Sequence, residues 1–272
     1  MIFYLRRFPG ALARNWFILL ALGSLLACGE GQDTAVLEIY VISSLGEEVQ
    51  DAQVSIYANR EDWQSGRSPV KEASATDRTG VVRFAGLADG SYFLDVVKGD
   101  TTNWAGRIST DVKSVGSFFV NRIFVVISSN QTNRLVATGG KRWRTVSYTS
   151  ALISSIGTTP GFVTACAKDD IDIFFKGNAY ISDEGASICP GSAQQTQGTW
   201  RLLENDTRLS IARNAANDTP GEAIVWTIVQ LNLQIMQLTR DYELRNEQGQ
   251  LIRDINGQPL RVREQKELAA LP

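Results

Sequence analysis

Apolar and polar positions alternate with the period of a strand along most of the chain from residue 35 onwards. Val36, Ile39 and Val41 lie in a β-rich run, Ser44 to Glu47 supplies a turn, and Ala52, Val54 and Ile56 alternate with Asp51, Gln53 and Ser55. Asn59 to Pro69 is polar, holds a glycine and a proline, and reads as a loop. In Thr76-Asp77-Arg78-Thr79-Gly80 the aspartate can close a turn with its own side chain, and the glycine can take a positive φ. Val82 with Phe84, then Leu94 with Val96 and Val97, continue the strand pattern, and Phe118 to Ile127 is a further apolar strand. Ser128 to Asn133, where serine, asparagine, glutamine and threonine replace apolar residues, reads as a linker. Helical periodicity is absent throughout.

Beyond the linker the pattern resumes. Gly139-Gly140-Lys141-Arg142-Trp143 opens a strand through Val146 and Tyr148, and Ser154 to Gly161 reads as a loop. Cys166 to Phe174, the turn Gly177-Asn178, and Tyr180 with Ile181 on the way to Cys189 form a hairpin pattern. Cys166 and Cys189 lie about 11 residues either side of that turn, so the hairpin brings them face to face at its open end. A disulfide is the natural reading. Gln197 to Leu202 and Arg208 to Ile211, joined at Asn205-Asp206-Thr207, are followed by Ile224 to Leu231 and Leu233 to Leu238. Two more hairpin signals, Glu247-Gln248-Gly249 and Asn256-Gly257, separate the last strands. Seven or eight strands joined by short turns suggest an up-and-down meander, which closure into a barrel would relieve of exposed edges.

Before the strands lies a different pattern. Arg6, Arg7 and Arg14 precede an apolar run from Trp16 to Leu26 of about 11 residues, short of the roughly 20 that span a bilayer. Leu25-Leu26-Ala27-Cys28 at its end resembles the lipobox of bacterial lipoproteins, and the resemblance implies cleavage before Cys28 and lipidation of that residue. Residues 1–27 would be the signal peptide and 28–34 a short polar tether. The implied location is the cell envelope, lipid-anchored, in the outer membrane.

Two further resemblances follow from the quoted residues. Asp51 to Tyr57, Thr76 to Phe84 and Gly86 to Tyr92 resemble, in order and spacing, the carboxypeptidase-regulatory-like or prealbumin-like β-sandwich family, which implies a spacer or docking module over residues 35–129. On that resemblance Tyr92 and Trp104 are core or corner aromatics. Trp143 to Ser147, Cys166 to Phe174, Cys189, Gly198 to Leu202 and Leu209 to Ile211 resemble the lipocalin-like domains of Bacteroidota lipoproteins. That implies an antiparallel up-and-down barrel over residues 136–272, and so an all-β chain of sandwich plus barrel. Two departures from the pattern are visible. The first glycine lies one residue further from Trp143 than in the lipocalin G-x-W, and the hairpin turn is Gly-Asn, suited to type II′.

Composition then narrows the chemistry. The chain has no histidine, which removes the usual general base, the commonest zinc ligand and the Ser-His or Cys-His pair. With 27 basic against 29 acidic residues and no long block of one sign, no nucleic-acid footprint is present. Of three cysteines, lipidation of Cys28 leaves an even pair in a disulfide-permissive compartment. Gly139-Gly140-Lys141 lacks the spacing and the Ser or Thr of a phosphate loop, and no cofactor is expected. Asp170 and Asp172 face one side of a strand and Asp169 the other, so the three do not converge on a metal, and a solvated face or an end-of-strand hydrogen-bond network is expected for them. Trp143, Trp200 and Trp226 either fill a small barrel or line a ligand cavity in it. Both faces of Ile224 to Leu231 are largely apolar, which predicts a strand covered on both sides and an apolar cavity. The function expected is a non-catalytic, membrane-anchored binding or accessory protein for a small hydrophobic ligand. The alternative is a solidly packed interaction module docking an envelope protein partner.

Overall fold

The computed structural model describes residues 35–114, 119–214 and 220–272. Cys28, the signal segment and the tether fall outside these residues, as does Phe118. What is described is all-β: a two-sheet sandwich followed by a closed eight-stranded antiparallel barrel.

The sandwich forms because alternating residues of its strands must leave water together. In β1 (Ala35–Ser43) buried Ala35, Leu37, Ile39 and Val41 alternate with partly exposed neighbours. This strand pairs antiparallel with β4 (Val81–Leu87) and parallel with β8 (Val120–Ile127). The facing sheet carries β2 (Gln53–Tyr57), β3 (Lys71–Ala75), β5 (Gly90–Lys98), β6 (Thr101–Thr102) and β7 (Ser109–Val112). Val54, Ile56, Leu94 and Val96 meet Leu37, Ile39, Phe84 and Val125 in one apolar core. The turn at Asp77 is built as expected, the carboxylate accepting from the backbone N–H of Thr79 at 2.9 Å and of Val81 at 3.0 Å.

Asn59 to Pro69 is not simply a loop. It holds a six-residue helix, α1 (Arg60–Ser65), capped by Asn59 through the N–H of Asp62 and ended by Gly66 in the left-handed conformation. Its Trp63 is fully buried and donates its indole N–H to the Leu94 carbonyl at 2.9 Å. The linker likewise contains a helical turn, α2 (Gln131–Leu135), capped by Asn130.

The barrel runs through β9 (Lys141–Ser154), β11 (Ile171–Phe174), β12 (Ala179–Asp183), β13 (Gln195–Leu203), β14 (Arg208–Asn214), β15 (Pro220–Leu231), β16 (Ile235–Glu243) and β17 (Arg261–Ala270). Each pairs antiparallel with the next, and β17 pairs back with β9 from Arg261↔Ile153 to Ala270↔Trp143, closing the ring. The segment expected as a loop after β9 folds back as a short added strand, β10 (Gly157–Pro160). Strand β15 departs from expectation. Thr227 and Val229 on its outer side are exposed, and a register shift between Ile228 and Gln230 turns Leu231 inward to join Trp226. The outer face is therefore open to water rather than covered.

Sandwich and barrel meet through the tip of the β11–β12 hairpin. Gly177 and Asn178 both hold φ near +74°, so the tip departs from the two-residue type II′ turn expected there. A Cβ on Gly177 would come within 2.9 Å of the Trp63 ring, so only glycine lets the tip lie against α1. Lys176 beside it is fully buried. Its ammonium pairs with Asp95 at 2.7 Å and lies 4.9 Å from the Trp63 ring centroid and 5.4 Å from that of Trp104. Trp104 completes the arrangement, donating its indole N–H to the other Asp95 oxygen at 2.6 Å. Burial pulls the Lys176 ammonium below its ordinary pKa, against the opposing pull of Asp95.

Candidate functional site

The barrel's inward-facing rows change character along their length. Near the sandwich they are apolar: Trp143, Phe174, Trp200, Met236 and Leu268 pack with Leu135 and Val136, which α2 and the linker insert as a floor. The Trp143 indole donates to the Leu135 carbonyl at 2.9 Å and seals this end. Toward the other end the same rows become charged. Phe174 gives way to Asp172 and Asp170, Leu209 and Ile211 to Arg213, Leu238 to Arg240, and Leu268 to Lys266 and Glu264, each two residues apart on one face of a strand.

All of these charged residues except Glu264, which stands behind Arg240, line an interior cavity of ≈ 270 Å³. Asp170, Asp172, Glu184, Glu264 and Lys266 are each at most 8% exposed, so this is a buried polar interior. Asp172 is its centre. Its carboxylate pairs with Lys266 at 2.7 Å, accepts a short hydrogen bond from the Tyr180 hydroxyl, and lies 4.0 Å from Arg213. Burial alone would push its carboxyl up, but the Lys266 and Arg213 charges outweigh it and hold the group below the usual carboxylate range. Arg240 pairs with Glu264 at 2.6 Å and spreads its guanidinium 4.8 Å over the Trp226 ring. Tyr148, also at the cavity wall, has its phenol pushed up to about 12 by burial and by nearby Glu264.

Asp170 differs from its neighbours. One of its oxygens, Oδ1, is buried with no hydrogen-bond partner among the described residues. Desolvation pushes its carboxyl up to about 6, opposed by Lys266 and reinforced by Glu184 and Asp172. The unfolded chain would ionise this group near 3.9. Between those values the folded form holds the extra proton, so this residue favours folding in mild acid and progressively disfavours it as pH rises through about 6. Asp170→Asn is expected to stabilise the protein at pH 7.5 by about 1–2 kcal/mol once water in the cavity is allowed for, and to lose that advantage by about pH 3.5, below the unfolded value. Denaturant midpoints of both proteins at the two pH values check this.

The mouth is covered by two segments tied together. A 3-10 turn at Ala165–Lys168 and the chain around Cys189 place Ala167, Cys189 and Ser192 against the cavity. Cys166 and Cys189 form the expected disulfide, with Cα atoms 5.2 Å apart. Asp169, on the other side of the chain from Asp170, accepts from the N–H groups of Ala186 and Ser187 at 2.9 and 3.0 Å. Gly185 lies so close that a Cβ there would meet the Asp169 carbonyl at 2.4 Å. Changing both cysteines to serine is expected to cost about 3 kcal/mol in denaturant unfolding.

Of the three tryptophans singled out by sequence, Trp143 and Trp200 belong to the apolar packing of the barrel and Trp226 lines the cavity. The cavity itself is not the apolar one expected from Ile224 to Leu231, because β11, β14, β16 and β17 and the segment after β12 contribute its ionised groups. Asp170 and Asp172 do share a side, as their spacing implied; that side is buried rather than solvated, and Asp172 there joins the other expected arrangement, a hydrogen-bond network, with Lys266 and Tyr180. Arg213, Arg240, Lys266 and Glu184 were missed. The available signal was strand parity: each stands two or four residues beyond an inward apolar or aromatic residue on the same strand face.

No family model matches the chain. Among the curated proteins none matches. Among solved structures the chain is similar to BcpA, the major pilin subunit of Bacillus cereus, at 11% identity and a TM-score of 0.27, over 84% of this chain and 81% of that one. It is also similar to a streptococcal ancillary pilin, at 12% identity and a TM-score of 0.28, over 74% of this chain and 60% of that one. Likenesses at this level carry no argument about the present chain. Its own geometry defines an all-β protein whose barrel encloses a covered, charged cavity.

Proposed function

We propose that this chain is a lipid-anchored cell-envelope protein of the lipocalin-like kind, whose barrel binds one small polar molecule without chemistry and whose prealbumin-like sandwich carries the barrel away from the membrane. The observation that supports binding is the cavity of ≈ 270 Å³, ringed by buried ionised groups of which Asp170 Oδ1 has no partner. Burying charge is costly unless it is paired, so a polar group placed against Asp170 Oδ1 would lower that cost. A bound molecule supplies the missing partner. The interior polarity moves the expected ligand from the hydrophobic class to the polar one, with Trp226, Ile224 and Leu238 as the apolar fraction of the wall.

Ligand-observed NMR against a library of small polar metabolites tests the reading. Binding by the wild type, abolished in Ala167→Trp where the mouth residue fills the cavity, is expected; no binding by either would count against it. For the anchor, Cys28→Ala is expected to abolish lipid modification and leave uncleaved or soluble precursor. Unchanged mass and detergent partitioning of that variant would remove the lipoprotein part of the proposal.

One observation favours a second role, docking of an envelope partner by the sandwich. On the outer side of the β4-β1-β8 sheet, Phe124 is 61% exposed and stacks on Tyr40 at 5.0 Å between centroids, with Val126 exposed beside it.

A further inference from the structure

Three carboxylates and three cations line the cavity, and Glu264, paired with Arg240 behind the wall, makes the carboxylates of the interior the more numerous. Each cation already has an anionic or phenolic partner: Lys266 on Asp172 at 2.7 Å, Arg240 on Glu264 at 2.6 Å, and Arg213 between Asp172, at 4.0 Å, and Tyr180. An incoming anion would have to compete with these carboxylates. The groups left over are carboxylates. Asp170 has Oδ1 unpartnered, and Glu184 accepts only the Cys189 N–H, at 3.3 Å, among the described residues. Both line the cavity under the disulfide-tied cover.

We propose that the cavity takes a small organic cation, an amine of a size the cavity admits, whose ammonium group sits between Asp170 and Glu184. This rests on the small-molecule reading above and names its ligand class. An ammonium has donors for both carboxylates and offsets the one negative charge left inside the barrel once Glu264 is set against Arg240, while the Trp226 and Tyr148 rings are the surfaces against which its alkyl or aromatic body packs. Without the amine, a proton on Asp170 serves the same purpose. The two compete, so amine binding near pH 6 releases the Asp170 proton to the buffer. The groups that face Asp170 in this competition are Glu184 beyond β12, Asp172 on its own segment, Arg213 on β14 and Lys266 on β17. Asp172 keeps its charge there because Lys266 and Arg213 hold it low, so Asp170 is the group that titrates.

The test uses matched sets differing in charge alone: benzylamine, benzyl alcohol and benzoate, with the butyl and cyclohexylmethyl equivalents, and calcium chloride as an inorganic cation. Isothermal titration of the whole protein reads affinity at pH 5 and 7.5, and buffers of different ionisation enthalpy read proton release. Within at least one set the amine is expected to bind ten times or more tighter than the alcohol and acid. Its affinity should rise from pH 5 to 7.5, and Asp170→Asn should remove both the preference and the pH dependence. Glu184→Gln, which leaves Asp170 in place, should weaken the amine by a smaller factor and keep the pH dependence. Tighter binding of the acid or alcohol, an amine preference that survives Asp170→Asn, or calcium displacing the amine would overturn the cation while leaving the small-molecule reading standing. If no member of any charge binds and the metabolite library also fails, both fall.

Discussion

Asp172→Ala is expected to destabilise the barrel by about 3–5 kcal/mol, because it strips a buried charge pair of its anion and leaves Lys266 and Arg213 facing each other without compensation. Asp172→Asn keeps the shape and should lose nearly as much. Lys266→Met combined with Asp172→Leu should recover a large part of the loss, since removing both partners of a buried pair is far cheaper than removing one. The same residue carries a pH signature opposite to that of Asp170. Its carboxyl is held low in the folded state, so its stabilisation is complete above the unfolded value near 3.9 and disappears as pH falls below it. The wild type should therefore gain stability from pH 7 into mild acid, as Asp170 takes its proton, and lose it steeply below about pH 4. Urea midpoints across pH 3 to 8 for wild type and Asp172 variants check both limbs. A flat profile would mean that the interior is wetter than its burial indicates.

Lys176→Ala is expected to cost about 3–5 kcal/mol at the junction, leaving Asp95 buried with the Trp104 indole as its remaining partner and emptying the space between Trp63 and Trp104. The loss has a location as well as a size. With the tip no longer held, the linker between the two parts should become cleavable, so limited proteolysis near residues 128–140 should accelerate more than unfolding of the barrel itself. Lys176→Met with Asp95→Leu should restore resistance. Equal proteolysis of wild type and Lys176→Ala would mean that sandwich and barrel are held by other contacts.

The strand pattern was legible because period-2 alternation is a direct consequence of a half-buried sheet. Val54, Ile56, Leu209 and Ile211 point inward as their spacing required. Cys166 and Cys189 were paired correctly because a hairpin fixes which residues face each other. Short helices were invisible to periodicity. The six residues of α1 make less than two turns, and only the Asn59 cap with Gly66 at the other end marks them. The charged interior was hidden for a different reason. Asp172, Arg213, Arg240, Glu264 and Lys266 look like surface residues singly, and they become a core only when strands distant in sequence close the ring. Strand β15 misled because Val225, Thr227 and Val229 read as buried on a β-branched pattern that the outer face of a barrel also tolerates.

Occupancy of the barrel in the cells that make it decides whether it is a binding protein. Protein extracted from its own envelope in mild detergent should show, by native mass spectrometry, one small non-covalent adduct compatible with a cavity of ≈ 270 Å³. The adduct should be absent from Ala167→Trp and retained when Lys176→Met is combined with Asp95→Leu. A wild-type mass equal to that of the bare lipidated polypeptide, with no shift on adding any small polar molecule, would contradict a binding role for the barrel.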